Sequence, residues 1–294
     1  MTAIAFLGLG HMGLPMARNL IAAGHEVRGY DVVPAAREAA ASAGVPIAES
    51  GADAATGADV VVTMFPAGAH VLAAYREGLL AAAAPGTLFI ESSTIAVDEA
   101  QEAHRLAVEA GHRSIDAPVS GGVVGAENGT LAFMVGGSDD DFTAALPLLE
   151  IMGRRIVHCG GPGLGQAAKV CNNMILAVSQ IVVGEAFVLA ERLGLSHEAL
   201  YDVAANASGQ CWALSVNCPV PGPGPTSPAN RDYQPGFGGA LMAKDLGLAL
   251  QAIEQTGTDA RMGMLAQRIY AAYAAGEGAG RDFSGIIEEI RGAG

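Results

Sequence analysis

Lysine is almost absent from this chain. Of its 16 basic residues only Lys169 and Lys244 are lysines; every other one is arginine. Arginine stays protonated at any useful pH, whereas a buried lysine can give up its proton. A lysine that survives in so arginine-biased a sequence is a candidate for chemistry that arginine cannot do. Positive charge as a whole is scarce: 16 bases stand against 30 acids, a formal charge of -14. That balance excludes a broad nucleic-acid or anionic-membrane surface, so an anionic ligand has to be held by backbone N–H groups and a few placed cations. The four cysteines, Cys159, Cys171, Cys211 and Cys218, form no CxxC and no metal-ligand spacing. They read as buried structural thiols in a reducing compartment. The seven histidines form no HxH or HxxxH pair, and no metal site is expected. No signal-type segment precedes the first strand, and no uncharged run has the length of a membrane span, although residues 174–183 are strongly apolar. The expectation is a cytoplasmic protein.

What is present begins at the N-terminus. Residues 3–7 are a short apolar strand, followed at once by Gly8-Leu9-Gly10-His11-Met12-Gly13 and a helical stretch to residue 23. In a chain with 40 glycines a lone GxGxxG is weak. Its setting strengthens it, because a second strand over 26–30 ends in Asp31, about twenty residues after the motif, as a dinucleotide-binding βαβ unit requires. Gly8 permits the tight turn, Gly10 lets a pyrophosphate approach the backbone, and Gly13 allows close helix–strand packing. The helix N-terminus then faces the phosphates. Asp31 would accept hydrogen bonds from the adenosine ribose; its charge repels a 2′-phosphate, and the nearest following cation, Arg37, is some turns away. NAD is therefore favoured over NADP. The alternative for Asp31 is a turn residue ahead of Pro34.

Strand and helix patterns keep alternating, with strands over 45–48, 59–64, 87–91, 112–116, 131–135 and 155–158, and amphipathic helices over 96–110 and 139–152. The expected fold is α/β, a Rossmann-type doubly wound and mostly parallel sheet. Ligands in such sheets bind beyond the carboxyl ends of the strands, where this chain carries Phe65-Pro66 and Ser92-Ser93-Thr94. Strand termination by Pro66 and helix capping by Ser92 is the plainer alternative. After the strand at 112–116, the stretch Asp116-Ala-Pro-Val-Ser120-Gly121-Gly122 offers successive N–H groups that can hold a carboxylate without a cation. A tight hairpin loop is the competing view. A glycine-rich linker over 158–165 closes the first domain, 1–164; the second, 165–294, is all-helical and joined by a long helix from residue 166 to about 193. Further helices are expected over 196–207, 239–255 and 259–275, with a last turn near 285–291, and Ser196 is an N-cap candidate. The proline-rich segment 217–233 cannot be helix; Trp212 and Phe237 flank it and suit an ordered extended loop.

Lys169 sits in this long helix, where from 166 to 190 the only other charged residue is Glu185. A mostly buried helix with one amine inside it is implied. Asn173 follows one turn later on the same face. Lys244 also lies in an apolar helix with Asp245 adjacent; on local sequence a cofactor-side role and a helix-fastening ion pair are equally supported.

Together the segments Gly8–Ala17, Asp116–Gly122 with Gly129-Thr130-Leu131, Gly165–Asn173, Ser208–Trp212, Asn217–Gly222, Gly236–Gly238 and Met242–Leu246 resemble the β-hydroxyacid dehydrogenases, essentially end to end. The resemblance implies a dinucleotide-binding domain, a helical domain contributing to a homo-oligomer (dimer or tetramer), and NAD-dependent oxidation of a small β-hydroxy acid. It makes Lys169 the general acid/base and Asn173 the residue that orients the substrate. Ser120, Gly121 and Gly122 become the carboxylate loop, and Lys244, Thr94 and Phe65-Pro66 cofactor contacts. Trp212 and Phe237 are expected to line the substrate pocket. Burial should lower the lysine pKa toward its working range. Two departures stand out. Glu91 replaces the more usual Asp, and Asn172 stands where the related 6-phosphogluconate dehydrogenases carry histidine, with their extended C-terminal half also missing. Rival readings are a tartronate, glyoxylate or succinic semialdehyde reductase on the same scaffold, and a dinucleotide-binding protein without turnover.

Overall fold

Apolar runs too short for helices become the strands of one sheet in the computed structural model, which describes residues 1–292. The chain divides into two units, Met1–Lys169 and a second beginning at Val170. In the first, the order is β1 (Ala3–Leu7), α1 (Gly13–Ala22), β2 (Glu26–Tyr30), α2 (Pro34–Ser42), α3 (Gly51–Ala55), β3 (Val60–Thr63) and α4 (Gly68–Ala74). A wide turn (Tyr75–Leu79) leads to α5 (Leu80–Ala82), β4 (Leu88–Glu91), α6 (Val97–Glu109), β5 (Arg113–Asp116), β6 (Val119–Ser120), α7 (Gly122–Glu127), β7 (Leu131–Gly136), α8 (Asp139–Met152) and β8 (Gly153–Gly160). The strands lie in the order β2-β1-β3-β4-β5-β7-β6, with β8 also on β7. Strands β1 to β5 pair in parallel, while β7 runs antiparallel to β5 and β6 and parallel to β8.

Side chains alternate across the sheet, so each strand feeds two cores. Ile4, Phe6, Val60, Val62 and Ile90 pack into one, and Ala5, Leu7, Val61 and Phe89 into the other. Helix layers on both faces explain why β3 and β4 are buried at every position. Burying a side chain of this size contributes ~1.5–3 kcal/mol. The expected strand over 45–48 shrinks to one bridge, Gly29 to Ile47. Pro46 has no N–H to give, and only its carbonyl joins the ladder, accepting from Gly29 N at 2.8 Å. At the carboxyl edge the register aligns Tyr30, Leu7, Thr63, Glu91, Asp116 and Gly136 in a row across five strand pairs.

The helical unit is built on α9 (Leu164–Leu193), which starts in the first unit and continues through the second. It is joined by α10 (His197–Ala205), α11 (Trp212–Ser215), α12 (Gly239–Thr256), α13 (Arg261–Ala274) and α14 (Ile286–Gly292). Ser196 caps α10, its Oγ accepting from Ala199 N at 3.2 Å. Helix α9 is less buried than its composition implies. By length and composition it could cross a membrane, with a window of mean hydropathy 1.8, yet half of that window is buried inside the protein. Ile175, Val182 and Leu189 are exposed apolar residues spaced seven apart.

The segment 217–233 is irregular apart from a 3-10 turn (Pro228–Arg231). Buried Asp282 gathers this region: it accepts from Gly236 N (3.0 Å), Phe237 N (3.1 Å), Ser284 N (3.0 Å), Ser284 Oγ (2.7 Å) and Asn217 Nδ2 (3.3 Å). Cysteine corrects another expectation. All four thiols are free, but only Cys218 is buried and Cys171 is exposed, because it falls on the outward face of α9.

Candidate active site

The glycine motif forms the turn from β1 into α1. Gly8 has φ +91°, and a Cβ there would overlap the Met64 carbonyl; one on Gly13 would overlap the Gly8 carbonyl. A Cβ on Gly10, by contrast, would meet nothing within 4 Å, so the backbone there stands open to a ligand. Leu9 lies between them, its N–H donating to Asp31 Oδ2 at 2.8 Å, while His11 is exposed and Met12 leads into α1. The first N–H groups of a helix lack intrahelical partners, and here they border that open glycine. This is a cradle that fits the pyrophosphate of a dinucleotide.

Asp31 is held in place by its neighbours. Oδ2 takes Leu9 N, and Oδ1 takes Val33 N at 2.8 Å. Each oxygen keeps a further lone pair for a ribose hydroxyl. Arg37 is not remote, as its sequence distance implied. Helix α2 turns it back so that it donates to the Asp31 carbonyl at 2.6 Å, with its guanidinium 5.6 Å from the Tyr30 ring centre.

Phe65 and Pro66 follow β3, and Ser93 ties them to the next strand end, its Oγ accepting from Phe65 N at 2.7 Å. Thr94, the residue after Ser93, is partly buried. The loop expected after β5 is not a simple hairpin. Ser120 ends the short strand β6, and Gly121 (φ +132°) and Gly122 (φ +62°) turn into α7. Positive φ angles favour glycine, and the two glycines leave this backbone bare.

Gln166 and Lys169 occupy the first turns of α9. Lys169 is buried, 6% exposed. Two carboxyl groups that the sequence did not flag as functional stand at this helix start. Asp116 accepts from Gly163 N (2.7 Å) and Gln166 N (2.9 Å), and Gln166 Nε2 lies 3.4 Å from Glu91. Burial pushes Glu91 up to about 8, against the pull of its Ser93 hydrogen bonds. Burial also pushes Asp116 up to about 6, against the same N–H donors.

In the helical unit Asn173 is 2% exposed, and its Nδ2 donates to Asp245 Oδ2 at 2.5 Å. Asp245 also lies 3.9 Å from Lys244 Nζ. The motif Lys244-Asp245 therefore holds Asn173 as well as presenting a cation, a second role hidden in sequence because the two partners are 72 residues apart. Phe237 is partly buried, edge-on to Phe283, and its N–H is fixed by Asp282. Trp212 starts α11 and is 50% exposed, so it is no core residue.

A dinucleotide cradle on a doubly wound sheet, with a buried lysine and asparagine one turn apart on the helix that follows, defines a nicotinamide-dependent hydroxyacid dehydrogenase. Known proteins agree. Residues 3–161 match the NAD binding domain of 6-phosphogluconate dehydrogenase, and residues 163–290 the NAD-binding region of NADP-dependent 3-hydroxyisobutyrate dehydrogenase. The chain is 57% identical to a probable 3-hydroxyisobutyrate dehydrogenase of Mycobacterium tuberculosis over 291 residues, covering 99% of this chain and 98% of that one. It is 48% identical over 292 residues to the NAD-dependent L-serine dehydrogenase of Pseudomonas aeruginosa, at the same coverage. A solved structure, Mycobacterium tuberculosis 3-hydroxyisobutyrate dehydrogenase with L-serine, superposes with a TM-score of 0.96 at 57% identity and covers 99% of both chains. The chain belongs to the 3-hydroxyisobutyrate dehydrogenase family and binds NAD(P).

Proposed function

We propose that this protein oxidises 3-hydroxyisobutyrate to methylmalonate semialdehyde, a step of valine breakdown, with NAD as acceptor and Lys169 as general base. The observation that carries this reading is the burial of Lys169, one helical turn before a buried asparagine. The bound nicotinamide supplies the chemistry of hydride acceptance from the substrate's C3. The protein does the rest. Backbone N–H groups at Ser120, Gly121 and Gly122 hold the carboxylate. Asn173, braced by Asp245, orients the hydroxyl. Neutral Lys169 takes the hydroxyl proton at Nζ as the C3–H bond breaks, and the ammonium returns it in the reverse direction. The first turn of α1 and Asp31 hold the dinucleotide, and Phe65, Pro66, Thr94 and Lys244 contact it. Trp212 and Phe237 border the substrate.

The charge of Asp31 favours NAD over NADP, and Arg37 beside it softens that preference. A homo-oligomer in the cytoplasm completes the proposal, supported by the exposed apolar stripe of Ile175, Val182 and Leu189 on α9. Small molecules, not nucleic acid or membrane, are its partners.

L-Serine is the second reading, favoured by the L-serine dehydrogenase relative and the related structure with L-serine. Serine is also a 3-hydroxy carboxylate, with an ammonium where 3-hydroxyisobutyrate has a methyl group. The test is a panel of 3-hydroxyisobutyrate and L-serine in oxidation and of tartronate semialdehyde, glyoxylate and succinic semialdehyde in reduction, each with both cofactors. The highest kcat/KM is expected on 3-hydroxyisobutyrate with NAD; a higher value on serine would replace the substrate assignment. Lys169→Met is expected to lose ~100- to 10,000-fold in kcat with NADH affinity retained, and Lys169→Arg to fail as well. Near-normal turnover in either variant would refute the role of Lys169.

A further inference from the structure

The first turn of α9 is held by side chains from the sheet rather than by its own capping residue. Gln166 is fully buried. Its Oε1 accepts from Ile95 N at 3.2 Å, and its Nε2 donates to the Ser93 carbonyl at 2.7 Å and toward Glu91 Oε2 at 3.4 Å. Its backbone N–H, with that of Gly163, goes to the Asp116 carboxylate. Glu91 and Asp116 are direct register partners on β4 and β5. Glu91 further accepts from Ser93 N at 2.8 Å, and Ser93 Oγ fixes Phe65. One buried cluster therefore joins both cofactor-side strand ends to the helix that carries Lys169, three residues after Gln166.

We propose that Glu91 is a positioning residue for Lys169, acting through Gln166 and sharing that task with Asp116. This rests on the reading of Lys169 as the acid/base. A helix start without partners for its N–H groups frays, and fraying here moves the amine that must meet the substrate hydroxyl. Misplacement by about 1 Å is enough to cost ~100-fold in rate. The partners described for Glu91, Ser93 N, Thr63 Oγ1 and Gln166 Nε2, are all neutral donors. Its neutral form is the one the fold favours, since burial pushes it up to about 8 and the neighbouring Asp116 adds to the rise. Asp116, pushed only to about 6, keeps the charge that the helix N–H groups prefer. The titratable groups facing Glu91 are Asp116 on β5 and Tyr75 on the turn after α4, with the Lys169 amine one turn along α9. Ionising Glu91 sets a second negative charge beside Asp116 and loosens the helix start.

The experiment uses the full-length protein and the variants Glu91→Ala, Glu91→Gln, Gln166→Ala, the Glu91→Ala/Gln166→Ala double and Lys169→Met. For each, kcat, substrate KM and the NADH dissociation constant are measured from about pH 6 to about pH 10. Glu91→Ala is expected to lower kcat ~10- to 100-fold with NADH affinity changed less than about 3-fold, and Gln166→Ala to do the same. The double variant should be no worse than the poorer single one, since both break one chain of contacts. Glu91→Gln, uncharged and of the same shape, should stay within about 3-fold of the parent near neutrality and lose the alkaline fall in kcat near pH 8. Unchanged kcat in Glu91→Ala, additive effects in the double, or NADH affinity lost in parallel with kcat would overturn the proposal. If Glu91→Ala does not fold, the pH profile of Glu91→Gln decides: an alkaline limb identical to the parent's rejects it. Near-normal kcat in Lys169→Met would instead reject the acid/base assignment, and the positioning role with it. A dead Lys169→Met beside normal Glu91 variants rejects positioning alone.

Discussion

In the sheet unit the organising acids come as neighbours, Glu91 beside Asp116 in register on adjacent strands. In the helical unit Asp282 works alone, its two oxygens accepting from five donors on three segments. Each arrangement gathers backbone that would otherwise be loose: the start of α9 in one unit, the ends of the 217–237 segment in the other. The difference lies in charge. Asp282 faces donors only, five of them for its two oxygens. Two adjacent buried carboxyls cannot both keep their charge cheaply, so one holds a proton. The lone acid serves as a fixed anchor for backbone, whereas the pair is poised to respond to pH.

The largest expected effect follows from the lone acid. Asp282→Ala leaves the buried N–H of Ser284 and the part-buried N–H groups of Gly236 and Phe237 without their acceptor and should destabilise by ~3–5 kcal/mol, read from urea unfolding. Asp282→Asn should fall between, because one oxygen remains. A loss under about 1 kcal/mol for the alanine variant would show that the segment holds itself, and the contrast between the units would fail.

Much of the sheet unit was legible in the chain because its signals are local. The turn at Gly8, the open backbone at Gly10 and the acid at Asp31 all lie within one βαβ unit. The helical unit was legible as helices, and Ser196 as a cap, but not as a network. Asn217 and Asp282 are 65 residues apart, Asn173 and Asp245 are 72 apart, and Gln166 and Glu91 are 75 apart. No periodicity announces such pairs. In sequence Glu91 shows only as a departure from the family pattern; the register of β4 and β5 sets it beside Asp116. Arg37 lies nearer to Asp31 than its place in the chain suggests. Helix α2 turns its side chain back so that the guanidinium reaches the Asp31 carbonyl. The short helix α11 and the exposed face of α9 also escaped, since apolar composition alone does not say which side of a helix is covered.

A smaller effect tests the paired acids through stability. The Glu91 carboxyl titrates near 4.5 when unfolded and about 8 in the fold. Between those values the unfolded chain binds fewer protons than the folded one, so stability falls as pH rises. The contribution is fully present below about pH 4.5 and gone above about pH 8, a loss on the order of a few kcal/mol. Asp116 adds a loss of the same sign at lower pH, ending near its own value of about 6. Glu91→Gln should flatten the curve between about pH 6 and about pH 8 relative to the parent, measured by urea unfolding at each pH. Parallel curves for the two proteins would mean that Glu91 is ionised in the fold.

The smallest effects compare one device, the serine N-cap, in both units. Ser138 caps α8 with Oγ accepting from Asp141 N at 3.1 Å, and it also donates to Asp141 Oδ2 at 2.7 Å. Asp141 in turn receives Arg113 Nε at 2.6 Å, so this cap belongs to a chain that reaches β5. Ser196 makes only the cap bond described to Ala199. Loss of a serine cap typically costs ~1 kcal/mol, within a range of about 0.5–2. Ser196→Ala should sit at the low end and Ser138→Ala at the high end, because removing Ser138 also frees the Asp141 carboxylate that orients Arg113. The partly exposed Arg113–Asp141 pair keeps the gap modest. Equal losses in urea unfolding would mean that the extra bonds at Ser138 add nothing, and that even in the sheet unit an acid outside the core organises no more than its own turn.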